Sequence, residues 1–205
     1  MRLNIAIDGP VGAGKSSVAD AVAKRLGILH LDTGAMYRAL GLAALRAGTD
    51  PKDEQKIVEL CRNTLVSVSH EADGQHTFLE GEDVTGLIRT PEVSMAASTV
   101  SRYAEVRKEM VRIQQRLAAE TDMLVDGRDI CTTVLPNATA KIFLTAAQEE
   151  RARRRYQEMK EKGVYVGIVT IMGSIAPGTH YDPADIAEKY WELYEKQEDI
   201  EYVFK

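Results

Sequence analysis

The sequence predicts an α/β fold: a central parallel sheet flanked by helices, carrying a small antiparallel β insert. Three observations lead there. Leu3-Asn4-Ile5-Ala6-Ile7 is a short β-type run that stops at Asp8-Gly9-Pro10, and Val18, Ala19, Val22 and Leu26 then recur at helical spacing, giving strand, glycine loop and helix in turn. Apolar strands and helices go on alternating along most of the chain, the pattern of a parallel sheet with crossover helices. Between about 50 and 105 the texture changes to the period-two alternation of half-buried antiparallel strands.

Taken in order, Ser16–Leu26 is the first predicted helix, and Gly27 ends it. Ile28-Leu29-His30-Leu31 reads as a second strand, and Thr33-Gly34 turns the chain into a helix through Met36, Leu40 and Leu45. Leu65-Val66-Ser67-Val68-Ser69 and His76-Thr77-Phe78-Leu79 are paired strands around an Asp73-Gly74 turn, with Gly81-Glu82-Asp83-Val84 following. Ala104–Ala119 is helical and Met123-Leu124-Val125 is a short apolar strand ending at Asp126-Gly127. Lys141-Ile142-Phe143-Leu144 is another strand, and Gln148–Lys162 a strongly charged helix. After Gly163 the pattern differs: Val164–Ile171 is apolar and β-branched, Gly173–Pro183 is loop-like, and Pro183-Ala184-Asp185 opens an amphipathic helix with Tyr190, Trp191 and Tyr194.

With 205 residues, 44% of them apolar, the chain can bury a proper core and fits one large domain. A net charge of −5, from 31 acidic and 26 basic residues, argues against general binding to nucleic acid or anionic membranes, which relies on excess Lys and Arg. Any phosphate site must therefore be local. Cys61 and Cys131 stand far apart without ligand-spaced partners, so two free buried thiols are expected rather than a disulfide framework or a zinc site. No run approaches the roughly 18 apolar residues that span a bilayer, and a cytoplasmic monomer is the expectation.

The strongest motif is Gly9-Pro10-Val11-Gly12-Ala13-Gly14-Lys15-Ser16, which satisfies GxxxxGK[ST] after a strand and at the start of a helix. Phosphate oxygens are bound there by backbone N–H groups, so the loop must curl without side chains in the way, and the helix N-terminus adds a favourable dipole. The expected nucleoside triphosphate site comprises Gly9, Pro10, Val11, Gly12, Ala13, Gly14, Lys15, Ser16 and Ser17. Lys15 supplies a point charge for the β and γ phosphates, and the Ser16 hydroxyl is placed for Mg²⁺. Asp126, an acid at the end of an apolar strand, could share that ion through water or merely cap the turn after it. On the acceptor side, Thr33, Arg38 and the turn Gly127-Arg128-Asp129 follow strands whose ends converge in a doubly wound sheet. Arginine suits a second phosphate because its planar fork gives bidentate contacts, and Asp129 could accept from an exocyclic amine.

These residues resemble the bacterial cytidylate kinases. The likeness rests on Ile7-Asp8-Gly9-Pro10 with its loop, Leu31-Asp32-Thr33-Gly34-Ala35-Met36-Tyr37-Arg38, Gly81-Glu82-Asp83-Val84-Thr85, Ile88-Arg89-Thr90-Pro91-Glu92-Val93, Asp126-Gly127-Arg128-Asp129 and Lys141-Ile142-Phe143-Leu144-Thr145-Ala146. It covers roughly residues 3–163 in order. The resemblance implies a P-loop nucleoside monophosphate kinase fold over residues 1–205, with a CMP-binding insert at about 60–105. It implies phosphorylation of CMP or dCMP by ATP with Mg²⁺, giving CDP or dCDP. Lys15, Arg128 and Asp129 then stand at catalytic positions, Ser16 and Asp126 at the metal, and Thr33, Tyr37, Arg38, Ser98, Arg107, Arg128 and Asp129 at the CMP site. Arg38, Arg107 and Arg128 would grip the acceptor phosphate, and Ser98 and Asp129 would read the cytosine.

The family continues with a lid of the form Arg-Asp-x-x-Asp-x-x-Arg, from which this chain departs: residues 164–180 contain neither Arg nor Asp, and no arginine follows Arg155. A homologue that binds both nucleotides yet transfers phosphate poorly is the alternative this leaves open. Arg151, Arg153, Arg154 and Arg155 precede the break and could supply some of the charge or form a solvated helix face. Tyr181–Tyr194 is weakly similar to the C-terminal end of short-chain dehydrogenases/reductases, without a nicotinamide-binding fingerprint.

Overall fold

A computed structural model of the chain describes residues 2–71, 73–161, 168–196 and 201–204. The chain divides into two compact units, Met1–Thr145 and Ala146–Lys205. The first unit begins with β1 (Asn4–Asp8), α1 (Lys15–Leu26), β2 (Leu29–Asp32) and α2 (Thr33–Arg46). Then come α3 (Glu54–Asn63), the strands β3 (Val66–Glu71), β4 (Gly74–Leu79) and β5 (Glu82–Asp83), and α4 (Pro91–Val100). The unit closes with α5 (Ala104–Glu120), β6 (Met123–Gly127), a π-helical turn at Ile130–Val134, and β7 (Ala140–Phe143).

Four parallel strands form the central sheet in the order β2-β6-β1-β7. Side chains of β1 and β6 alternate between two cores, as the period of a strand requires, whereas all four residues of the edge strand β7 are exposed. Ile5, Ile7 and Leu124 face α1 with Ala19 and Ala23, while Ala6, Leu31, Met123 and Val125 join the larger core of α2, α4 and α5. The register sets Asp32 beside Asp126 and Asp8 beside Gly127, so the carboxyl ends of β2, β6 and β1 form one rim carrying three acids.

The antiparallel insert is a three-stranded sheet in the order β3-β4-β5, with Val66 opposite Leu79 and Glu71 opposite Gly74. The helices α3 and α4 that flank it were not predicted. α3 does carry Ile57, Val58, Leu60 and Cys61 at helical spacing after the capping Asp53, a stripe confined to ten residues between turns. α4 is built of small residues that pack on α2, although Thr90, whose side chain accepts the Val93 N–H, and Pro91 at its first turn are start signals.

In the second unit α6 (Gln148–Glu161) is followed by β8 (Ile168–Ile171), α7 (Pro183–Lys196) and β9 (Glu201–Phe204). β8 and β9 pair in parallel, with Ile168 opposite Glu201, and β9 was not foreseen. The predicted helix end at Lys162 and the residues Val164–Gly167 of the apolar run lie outside the described residues. In α7 it is Ile186 and Leu193 that are buried, while Tyr190 and Trp191 are exposed. No helix among the described residues is long and apolar enough to cross a membrane.

Candidate active site

The loop after β1 is shaped by its backbone. Gly9 has φ 152°, and a Cβ there would lie 2.0 Å from the carbonyl oxygen of Leu144, so only glycine lets the chain pass the end of β7. Ala13 donates its N–H to the Pro10 carbonyl at 3.3 Å, and the Lys15 ammonium folds back to donate to the same oxygen at 3.1 Å. Side chains of Asp32, Asp53 and Thr90 cap α2, α3 and α4, whereas α1 starts at Gly14 with no side-chain cap and no acid in its first turn. Helix starts leave N–H groups without intrahelical partners, and such a bare start suits an anion. Val11 and Ser17 are exposed on either side of the turn.

Lys15 lies among Asp126, Arg128, Asp32 and Asp8, all close enough to act on its charge. Burial holds its ammonium below the ordinary lysine value, Asp126 opposing this and Arg128 adding to it. Asp126 is buried at the end of β6 with its groups engaged. Its Oδ2 accepts from the Ser16 hydroxyl at 3.1 Å, its Oδ1 lies 2.6 Å from His30 Nε2, and its backbone carbonyl accepts from the Thr33 hydroxyl at 2.9 Å. That last bond is tight against Gly127, where a Cβ would come 2.1 Å from Thr33 Oγ1. The hydroxyl and carboxylate of Ser16 and Asp126 are hard oxygen donors side by side at the start of α1, a pair that fits Mg²⁺. Among the described residues no group of three or more His, Cys, Asp or Glu could cage a metal. Water and phosphate oxygens would have to complete the coordination of any ion held here.

In the sequence His30 is one residue of an apolar strand, and the structure gives it more to do. Its Nδ1 lies 2.5 Å from Asp20 Oδ1 on α1, so each ring nitrogen faces an oxygen that only accepts. Burial pushes the imidazole down, but the bonds to Asp126 and Asp20 outweigh it and leave the value raised. Asp8, which ends the first strand and belongs to the Ile7-Asp8-Gly9-Pro10 motif, has a structural task as well. Its carboxylate accepts the N–H groups of Ile130 and Cys131, holding the turn that carries Arg128 and Asp129. Asp129 itself sits at φ 58°, before the π-helical turn, and both it and Arg128 are exposed.

On the acceptor side, Asp32 caps α2 by accepting the Ala35 N–H and takes an ion pair from Arg38 Nη2 at 2.7 Å. The Arg38 Nε is buried without a partner. Gln75 of β4 brackets the Asp32 backbone, accepting its N–H at 2.8 Å and donating to its carbonyl at 3.4 Å. The Tyr37 hydroxyl is pushed up to about 12 by burial, opposed by Arg107 and aided by Cys61 and then Asp129. Ser98 is exposed on α4, and Arg107 donates to the carbonyls of Ser101 and Arg102 at the α4–α5 junction. Among the described residues no hydrogen bond joins either side chain to Arg38, Arg128 or Asp129. Ser16, Thr33 and Asp126 thus share one hydrogen-bonded network, with Lys15 and the Arg38–Asp32 pair beside it, while Ser98 and Arg107 bond elsewhere. Cys61 is buried and Cys131 half-buried, both free.

A sequence model described as cytidylate kinase matches residues 5–201. The chain belongs to the cytidylate kinase family. Among its relatives, the cytidylate kinase of Caldicellulosiruptor bescii is 52% identical over 174 residues, 85% of this chain and 77% of the relative. That of Bacillus subtilis is 49% identical over 175 residues, 85% of this chain and 78% of the relative. The cytidylate kinase of Bacillus cytotoxicus aligns over 210 positions, all of this chain and 93% of the relative, at 44% identity. Membership makes the chain a nucleoside monophosphate kinase with the α/β fold described above.

Proposed function

We propose that the chain transfers the γ-phosphoryl group of ATP to CMP or dCMP, giving CDP or dCDP. One observation carries this reading: Asp126 joins the phosphate loop to the acceptor rim, bonding Ser16 through its carboxylate and Thr33 through its carbonyl. Family membership over residues 5–201 supports the choice of acceptor.

The loop amides of Gly9–Ser17 and the Lys15 ammonium hold the β and γ phosphates of the donor. Ser16 and Asp126 would hold Mg²⁺, which when bound supplies neutralisation of phosphate charge. Arg38, Arg107 and Arg128 align the acceptor phosphate, Arg38 exchanging its Asp32 partner for it. Ser98 and Asp129 read the cytosine, with Thr33 and Tyr37 beside them, and residues from about 60 to 105 form the acceptor lobe. Attack is in line from a phosphate oxygen already anionic at neutral pH, so positioning does most of the work and no general base is required. With no arginine beyond Arg155, the charge for transfer within the first unit falls to Lys15, Arg38, Arg107 and Arg128. The chain is taken to act as a cytoplasmic monomer on small nucleotides, its net charge of −5 disfavouring general nucleic-acid binding.

The test is a coupled ADP-release profile over CMP, dCMP, UMP, AMP and GMP with ATP and Mg²⁺. CMP and dCMP should give the highest kcat/KM. A preference for AMP or GMP, or no stimulation by any monophosphate, would refute the assignment.

A further inference from the structure

We infer that His30 is a positioning residue, fixing the Asp126 carboxylate so that Oδ2 meets Ser16 and the phosphate-bound ion. The inference rests on the reading of Ser16 and Asp126 as the magnesium pair and goes beyond it to a residue on a neighbouring strand.

The Asp126 side chain is 3% exposed and that of His30 11%, so the carboxylate is removed from water and depends on protein partners. Of its two oxygens, Oδ1 is committed to His30 Nε2 and Oδ2 to the Ser16 hydroxyl. These two contacts fix the plane of the carboxylate. Held this way, Asp126 turns Oδ2, on the Ser16 side, toward the ion, to meet it directly or through water.

His30 is itself held at three points, two on the ring and one on the backbone. Nδ1 meets Asp20, four residues beyond Ser16 and therefore on the same face of α1. Nε2 meets Asp126, and the His30 carbonyl accepts from His70 Nε2 on β3 at 2.6 Å. The imidazole therefore spans from the phosphate-loop helix to the strand end that carries the ion's carboxylate. Partners behind a ligating carboxylate typically matter by 10- to 100-fold in metal affinity or activity.

Asparagine and glutamine separate this role from simple packing. The amide nitrogen of His30→Asn falls where Nδ1 lies and can still reach Asp20, but cannot reach Asp126. That of His30→Gln falls where Nε2 lies and keeps the Asp126 bond alone. The experiment is calorimetric titration of the non-hydrolysable β,γ-methylene analogue of ATP into the full chain, with Mg²⁺ and again with EDTA. It compares wild type, both His30 variants, Asp20→Ala and Asp126→Asn.

In the wild type Mg²⁺ should tighten binding, and Asp126→Asn should remove that gain. His30→Asn should cut the magnesium-dependent gain by roughly tenfold or more while affinity in EDTA stays within about twofold. His30→Gln and Asp20→Ala should keep most of the gain. A wild-type gain in His30→Asn overturns the inference, as does an equal loss in His30→Gln and Asp20→Ala, which would mark the ring as a general brace. If Asp126→Asn keeps the gain, the magnesium reading falls and His30 with it, whereas a loss in Asp126→Asn without one in His30→Asn sinks the His30 role alone. Should His30→Asn fail to fold, His30→Gln decides: loss of the gain in that variant refutes the role, and its retention beside a loss in Asp126→Asn supports it.

Discussion

Asp8 Oδ1 accepts the backbone N–H of Ile130 at 2.7 Å across 122 residues of sequence, and its Oδ2 accepts that of Cys131 at 2.9 Å. The strand that launches the phosphate loop thereby fixes the turn bearing Arg128 and Asp129. Asp8→Ala removes both charge-assisted bonds and strands one fully buried N–H, which should cost about 2–4 kcal/mol. Thermal and denaturant unfolding measure this, and a loss below about 1 kcal/mol would show that the turn holds itself.

Gly9→Ala should abolish nucleotide binding or prevent folding. The added carbon would meet the carbonyl oxygen of Leu144 at 2.0 Å, and a backbone atom cannot rotate away as a side chain can. The positive φ of 152° adds strain for any residue with a Cβ. Calorimetric titration with ATP tests it, and wild-type affinity in a folded Gly9→Ala variant would contradict the described loop.

The insert should respond to pH through His76. Its ring bonds first to Asp83 and then to Asp73, raising it from 6.5 to about 9. The support it lends the hairpin is complete below pH 6.5 and is lost as pH rises through about 9. Asp83 is drawn from 3.8 to about 2, chiefly by Thr85 and then by His76, so its share is complete above pH 3.8 and lost as pH falls through about 2. The hairpin should therefore be firmest between these limits, and added salt should weaken the effect because the cluster is exposed. NMR titration of the His76 ring should give a midpoint near 9 that drops in Asp83→Asn, and a midpoint at 6.5 would count against the cluster.

Cys61 should resist alkylation in the native protein. Burial pushes its thiol up to about 11, with Glu109 adding to the shift, so little thiolate exists near neutrality. Iodoacetamide labelling at pH 8 should be slow until denaturant is added, and rapid native labelling would contradict the packing of α3.

The parts legible in the sequence are those set by local spacing. Gly9, Gly12, Gly14, Lys15 and Ser16 announce the phosphate loop because its function needs backbone freedom and charge at fixed intervals. The alternation in Leu65–Ser69 and His76–Leu79 likewise announces the hairpin, which the structure extends to Val66–Glu71 and Gly74–Leu79. What stayed hidden depends on distance along the chain. His30 sits inside an apolar strand pattern, and its partner Asp126 lies 96 residues on. Gln75 reads as one more polar strand residue until β4 is seen against Asp32. α4 escaped because Ala96 and Ala97 carry little hydrophobic signal, though Thr90-Pro91 marked its start. Asp129 at positive φ could not have been anticipated, since non-glycine residues seldom adopt that conformation.

The central claim is phosphoryl transfer from the Gly9–Ser17 loop to a cytidine monophosphate. Its most direct test is CMP-dependent ADP release by the wild type and by Lys15→Ala, each shown to be folded. The wild type should turn over ATP only when CMP or dCMP is present, and Lys15→Ala should lose on the order of 100-fold or more in kcat. Equal activity in the variant, or ADP release that ignores CMP, would contradict the account.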